Sequence, residues 1–461
     1  MANAPTELGT ERVGVLLRKY AVPGIIAMTA SSLYNMVDSI FIGHIKDVGA
    51  YAISGLAVTF PLMNLSTALG TLVGVGAATM TSVLLGQRNY STANKVLSNV
   101  VSLNTIFGLS FMAVVLCFLE PILYFFGASE NTMPFAKDYM TIILLGNVVT
   151  HLYFGLNTII RASGNPKTAM GLTIFTVLSN AVLDPIFIFV LDMGIKGAAL
   201  ATVLCQFMAL CYTFYFFSRK KNIVHFEKKV FNLDWKIAKS SMSIGMGPFL
   251  MNCASCIVTM FINQQLRKYG GDLSIGAYGI ANRITFIFLM IIMGLCQGMQ
   301  PIAGYNWGAR QYSRVKKVFV LTASWASLIT LLCWIASVFF PEAMVRIFTS
   351  EPELISRATY GLRHLNAMVF IVGFCMVAGN FFQCLGMVKT SIFLSLTRQL
   401  LILVPLLYLL PVKFEELGVW LSFPISDSVS LVISALCIAS LFRKFNKLKD
   451  GDDASSLGAA I

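Results

Sequence analysis

The chain has 461 residues, of which 57% are apolar and only 12% charged, and its mean hydropathy is +0.76. Soluble domains carry about 25% charged residues, so a soluble enzyme and a disordered chain are both excluded, and a chain mostly dissolved in lipid is implied. The net charge of +13 does not point to nucleic acid, because the bases sit in loops between apolar runs and form no stripe with aromatics.

The N-terminal stretch from Met1 to Glu11 is polar and has no signal-peptide core, so the first span is expected to be retained. A hydrocarbon core of roughly 30 Å needs about 20 apolar helical residues. Twelve such runs are predicted, at 15–42, 50–83, 94–119, 136–162, 168–191, 197–218, 238–266, 273–303, 315–340, 358–383, 388–411 and 416–442. The fold class is therefore an all-α polytopic membrane protein. Several runs are long enough to require tilting, kinking or protrusion.

Basic residues orient the spans. With the N-terminus inside, the cytoplasmic segments hold 24 Lys and Arg, the outer segments nine, and Arg283 falls within a span. Both termini are then cytoplasmic. The loop from Arg219 to Lys239 carries seven bases and faces anionic lipid or is a solvated linker. The ten cysteines fall in apolar stretches and read as small hydrophobes. Cys253 and Cys256 have CxxC spacing but no second pair, so neither metal nor redox use is expected.

Gly86-Gln-Arg-Asn-Tyr-Ser-Thr-Ala-Asn-Lys-Val-Leu97 matches Gly308-Ala-Arg-Gln-Tyr-Ser-Arg-Val-Lys-Lys-Val-Phe319 at six of twelve positions, at an offset of 222. Gly164, Lys167 and Thr168 align with Gly386, Lys389 and Thr390 at the same offset. Gly197 and Leu200 align with Gly418 and Leu421 at 221. An offset held to within one residue across three loops implies two six-helix lobes: 1–218 and 238–443, joined by a basic linker at 219–237 and followed by a tail at 444–461. Six is even, so the repeats are parallel, related by an axis along the membrane normal, which is a transporter signature.

Of 21 acids, Asp38, Asp184 and Asp427 lie within spans, where each costs roughly 2.5–3.5 kcal/mol on insertion scales. Such groups face a partner or a water-filled cavity. Ser31, Tyr34, Asn35 and Asp38 share one face of the first helix at i, i+3, i+4, i+7 spacing. Asn180 and Asp184 share a face of the fifth, and Pro185 removes an N–H there. These are hard oxygen ligands suited to Na⁺ or a proton relay, and Thr202 in the sixth helix adds a hydroxyl. Asp427 is read as an ion-pair partner for Arg283 or, alternatively, as a substrate contact. Arg283 itself either forms that pair or lines a cavity. His151 reads as a hydrogen-bonded structural residue. The remaining polar candidates within spans include Asn64, Asn157, Gln297, Gln300, Asn380 and Gln399. Together with 35 Phe and 22 Met they suit an adaptable cavity for organic cations.

Several motifs resemble the multidrug and toxic compound extrusion (MATE) family. They are Val37-Asp-Ser-Ile-Phe-Ile-Gly43, Gly86-Gln-Arg88, Arg161-Ala-Ser-Gly-Asn-Pro-Lys167, Asn180-Ala-Val-Leu-Asp-Pro185, Gly298-Met-Gln-Pro-Ile302 and Gly386-Met-Val-Lys-Thr390. The resemblance runs from about residue 12 to 445. It implies a bacterial inner-membrane antiporter that exports organic cations and drugs in exchange for H⁺ or Na⁺ by alternating access. It also implies two lobes around a V-shaped cavity, no cofactor, no nucleic acid and a monomer in the lipid bilayer. In the branch with acids in the N-terminal lobe, the coupling ion (the bound metal, where it is Na⁺) uses positions matching Asp38, Asn180, Asp184 and Thr202. Tyr34, Asn35, Asn64, Asn157, Arg283, Gln297 and Gln300 are the expected substrate-cavity residues. The other branch carries acids in the seventh and tenth helices, where this chain has only Asn263. A lipid-linked saccharide flippase of related architecture is the alternative, and its pyrophosphate would call for a ring of bases. An enzyme is not expected, since the four histidines are scattered and no catalytic cluster occurs.

Overall fold

The computed structural model describes residues 7–43, 45, 48–227 and 229–453, except for the side chains of 34–37, 39, 40, 43, 49, 50 and 272. Among these residues the chain is helical with no strand, as lipid demands of a backbone that must satisfy its own hydrogen bonds. The spans are α1 (Val13–Gly43), α2 (Gly49–Gly86), α3 (Tyr90–Cys117), α4 (Met133–Leu145 and Asn147–Ala162), α5 (Pro166–Pro185, continued by Ile186–Val190) and α6 (Ile195–Ser218). They continue with α7 (Trp235–Gly270), α8 (Asp272–Gly308), α9 (Tyr312–Phe339) and α10 (Pro352–Leu365 and Val369–Cys384). The last stretch is Val388–Leu396, Thr397–Leu403 and Val404–Phe445. A positive φ of 51° at Glu415 breaks it, giving α11 (388–414) and α12 (416–445).

The fourth and tenth spans, read from sequence as continuous, are bent by 55° and 54°. Gly146 marks the first bend, and an added Cβ there would overlap the Val203 side chain of α6. At the second, Asn366 is fully buried. Its Oδ1 accepts from Thr285 Oγ1 (2.9 Å) and its Nδ2 donates to Ser337 Oγ (2.8 Å). These side-chain bonds hold the interrupted turn in place of a continuous helical ladder.

The repeat is visible in the backbone. Arg88 and Arg310 both take a left-handed conformation, with φ of 59° and 58°, and so do Gly164 and Gly386, at 95° and 70°. Asp192 and Glu415, both at 51°, mark the breaks before α6 and α12. The fifth helix of each half also contains a π-helical segment, Ile186–Val190 in α5 and Thr397–Leu403 in α11.

The chain forms two compact units, residues 7–10 and 26–249 in the first and 11–25 and 250–453 in the second. In the first, α2 crosses the start of α7 so closely that a Cβ added at Gly76 or Gly245 would overlap the backbone carbonyls of Ser241 and Leu72. In the second, the start of α1 crosses α8, with Gly294 and Gly298 against the backbone of Ile25 and Ala21. Close backbone approach through glycine is how helices gain packing where lipid supplies no hydrophobic drive.

The basic linker is docked on α3. Asn94 Oδ1 accepts the His225 N–H (3.0 Å), Ser98 Oγ donates to the Lys229 carbonyl (3.2 Å) and Asn99 Oδ1 accepts the Asp234 N–H (3.1 Å). Lys228 lies outside the described residues. At the other end of the chain, Asp450 Oδ1 accepts the Ser313 N–H (3.0 Å) and the Tyr312 hydroxyl donates to the Asp452 carbonyl (2.7 Å). The tail thereby caps the first turn of α9.

Candidate functional site

α1 and α5 bring Asp38 and Asp184 together inside the first unit. Asp38 is 7% exposed, Asp184 0% and Asn180 2%. Asn180 and Asp184 stand one helical turn apart, so the Asn180 amide donates to Asp184 Oδ1 at 2.8 Å. The carboxyl groups of Asp38 and Asp184 lie within hydrogen-bonding reach of each other. Two carboxylates adopt that approach only when a proton or a cation relieves their repulsion. Asp38 Oδ1, Asn180 Oδ1 and Asp184 Oδ2 are all buried and receive no hydrogen bond from the described residues. A buried oxygen without a donor carries an unmet desolvation cost. Three of them around one carboxyl contact form a set that fits a proton or a small monovalent cation. No cluster of three or more His, Cys, Asp or Glu occurs among the described residues.

The helix that carries this pair is irregular for a local reason. Pro185 cannot donate a backbone hydrogen bond. The chain beyond it widens into the π-helical Ile186–Val190, with the Leu191 N–H reaching the Ile186 carbonyl at 2.9 Å. Such segments occur frequently at functional sites. Thr202 on α6 is half-buried and its hydroxyl donates to the Ala198 carbonyl at 3.1 Å. Two further residues belong to the surroundings, and nothing in the sequence singles them out. Tyr139 of α4, 3% exposed, is in electrostatic range of both carboxylates, and Cys205 of α6, 1% exposed, is in range of Asp184.

The residues expected to line a substrate cavity are spread over both units. Asn64 and Asn157 belong to the first, where Asn157 Nδ2 donates to Thr173 Oγ1 (3.2 Å). Arg283, Gln297 and Gln300 belong to the second. The side chains of Tyr34 and Asn35 lie outside the described residues. Two shallow cavities, of about 380 and 320 Å³, sit near Asn263 and Arg267 and near Arg346 and Thr359, and none of the expected substrate residues lines either.

One expectation is overturned. Asp427 does not pair with Arg283, which is exposed and has no ion-pair partner among the described residues. Its partner is Arg398 of α11, whose Nε donates to Asp427 Oδ1 at 2.8 Å. Arg398 counts among the cytoplasmic bases when the sequence alone is read, yet it stands well inside its span. His151 is hydrogen-bonded, as expected: its Nε2 lies 3.0 Å from Ser66 Oγ, which also donates to Asn147 Oδ1 at 2.6 Å.

The MatE family model matches the chain over residues 23–186 and 245–409. The chain belongs to the MatE family. The two matched stretches begin at the offset that separates the sequence repeats, so each half is one copy of the family unit. MatE relatives span nearly the whole chain. The multidrug export protein MepA of Staphylococcus aureus (strain N315) is 29% identical over 424 residues, covering 92% of this chain and 93% of its own length. MepA of Staphylococcus haemolyticus (strain JCSC1435) is 27% identical over 422 residues, 92% of each. Among solved structures, the MATE multidrug transporter DinF-BH is 33% identical with a TM-score of 0.88, covering 96% of this chain and 98% of that one. A MOP superfamily transporter from Pyrococcus furiosus, 23% identical, superposes with a TM-score of 0.89 over 97% of this chain and 100% of its own, which shows the shared fold. The chain is a multi-pass membrane protein.

Proposed function

We propose that this MatE protein is a multidrug exporter of the bacterial inner membrane, expelling organic, mostly cationic compounds in exchange for H⁺ or Na⁺ by alternating access. The observation that carries the reading is the contact between the Asp38 and Asp184 carboxyls, with three buried oxygens around it that receive no donor. The relatives named as multidrug export proteins support the drug half of the reading.

The mechanism follows from charge. When the ion is bound, the two carboxyls attract a shared proton or cation, and α1 is held against α5. When the ion leaves, two negative charges in a low dielectric repel and that contact is weakened. Ion occupancy is thus converted into movement of α1. Pro23 and Gly24 are the hinge, because Pro23 breaks the helical ladder just before α1 passes from one compact unit to the other. Exchange of one inward ion for one outward monocation moves no net charge, so the membrane potential, worth roughly 2.3 kcal/mol per charge at 100 mV, cancels. The ion's own concentration gradient, about 1.4 kcal/mol per tenfold, then drives an equal substrate gradient, and a second ion per cycle adds the potential. The protein works as a monomer with both termini in the cytoplasm.

The test is uptake of a fluorescent organic cation into proteoliposomes holding the purified chain, with Na⁺ and proton gradients imposed separately. Asp38→Asn and Asp184→Asn are each expected to abolish ion-driven transport while the protein still inserts and purifies normally. Full ion-driven transport in either variant ends the assignment.

A further inference from the structure

The second unit holds a half-buried charged group that the coupling mechanism does not use. Arg398 lies ten residues into α11, about 15 Å along the helix, which is near the middle of a hydrocarbon core of roughly 30 Å. A guanidinium at that depth faces protein or water rather than lipid tails. It is held with unusual care. Within the π-helical turn at Thr397–Leu403, the Arg398 carbonyl also accepts from Ser426 Oγ of α12 at 2.6 Å. The next side chain, Gln399, accepts from Ser255 Oγ of α7 at 3.0 Å. Asp427 takes only the Nε of the guanidinium.

The opposite edge of the guanidinium is unused. Among the described residues no acceptor meets either terminal nitrogen of Arg398, and the side chain is 27% exposed. One turn beyond Ser426 and on the same face as Asp427, Ser430 is 3% exposed and its hydroxyl has no partner among the described residues. Parallel N–H donors on a planar fork, locked from behind by a carboxylate, match a bidentate oxyanion. A carboxylate fits better than a phosphate. Added to the neutral Arg398–Asp427 pair it leaves one net negative charge in a low dielectric, whereas a dianionic phosphate leaves two. Lipid head groups do not reach this depth.

We propose that the Arg398–Asp427 pair is a binding site for the carboxylate of transported compounds that carry one. The inference rests on the exporter reading and names a substrate class for it. Asp427 is the positioning residue, Arg398 the contact, and Ser430 supplies a further hydroxyl to the same group.

The test compares a xanthene dye bearing a free benzoate with its ethyl ester, which differ only in that group. Binding of both to the purified full chain is followed by fluorescence anisotropy. In Arg398→Gln, the ratio of acid to ester affinity is expected to fall roughly 10- to 150-fold, the range for losing hydrogen bonds to a charged group. Arg398→Lys keeps the charge without the fork and should give a smaller fall. It carries the test if the glutamine variant does not purify as a monodisperse protein. An unchanged ratio in these variants overturns the carboxylate site and leaves the exporter reading standing, since that reading is judged by ion-driven uptake. A wild-type chain that binds the ester but not the acid overturns the site as well.

Discussion

Asp38 and Asp184 are expensive where they stand, and expense is what made them readable: a carboxylate inside an apolar run needs a reason that a leucine does not. The same logic explains what was missed. Tyr139 lies in electrostatic range of both carboxylates and Cys205 of Asp184, but a tyrosine or a cysteine in a span looks like ordinary packing until the helices are folded. Arg398 falls inside the predicted span 388–411 yet counts among the topogenic bases, and its contact with Asp427 shows why a base is tolerated there. Asn180 offers a prediction at this scale. Its amide orients Asp184 at 2.8 Å and its own oxygen is one of the three without a donor. Asn180→Leu should therefore raise the ion concentration for half-maximal transport by roughly tenfold or more, with the maximal rate retained. Initial rates against Na⁺ and against pH check it, and an unshifted midpoint removes Asn180 from the site. Ser66 makes the contrasting case. Removing its hydroxyl leaves His151 Nε2 and Asn147 Oδ1 without their shared partner, which costs about 1–3 kcal/mol. Ser66→Ala should lower the thermal midpoint in detergent and leave the ion dependence of transport where it was.

At the scale of the helix, hydrophobic length placed all twelve spans to within a few residues, because lipid leaves the chain no alternative to helix. The bends at Gly146 and Asn366 escaped, since both depend on what a neighbouring helix presents: Val203 in one case, Thr285 and Ser337 in the other. Helix crossings are equally invisible in one dimension. Gly245 and Gly171 are both glycines in helices, yet a Cβ at Gly245 would overlap the Leu72 carbonyl and one at Gly171 would meet nothing within 4 Å. Gly245→Ala should consequently destabilise the protein severely. Gly171→Ala should hold stability level or raise it by up to about 1 kcal/mol, the helix-propensity difference. Thermal midpoints by fluorescence-detected size exclusion separate the two, and equal effects would mean that the α2–α7 crossing is not close-packed. The docked tail gives a pH prediction. Burial alone would push the Asp450 carboxyl up, but hydrogen bonds from Ser313 and the Tyr312 N–H, with Lys316 nearby, hold it below the usual carboxylate range. A depressed folded-state value means the docking is fully present above the ordinary aspartate value near 3.9 and is lost only as pH falls through the lower, folded one. Proteolytic nicking around residue 450 should not change between pH 8 and pH 5. It should rise at both values in Asp450→Asn.

For the whole molecule, the repeat was legible because three loops kept one offset, and the backbone keeps it too: the left-handed residues Arg88 and Arg310, and Gly164 and Gly386, fall at matching places in the two halves. What the repeat does not carry over is charge. The first unit holds the carboxyl pair, and the second holds an arginine paired to an aspartate. Duplication has thus supplied one scaffold on which two different electrostatic sites were built, and this asymmetry could be read only by locating each charged side chain. Orientation is the remaining property of the whole. Moving Arg398 into its span lowers the cytoplasmic count from 24 to 23 against nine outside, a bias that still predicts both ends of the chain in the cytoplasm. Because each half has six spans, the breaks at Asp192 and Glu415, equivalent in the repeat, must then face outward together. A green fluorescent protein fused after residue 453 should fluoresce, and alkaline phosphatase at the same point should be inactive. Phosphatase inserted at Asp192 and at Glu415 should be active at both. Activity at only one of the two would mean the halves are inverted rather than parallel, and activity after residue 453 would turn the whole protein over in the membrane.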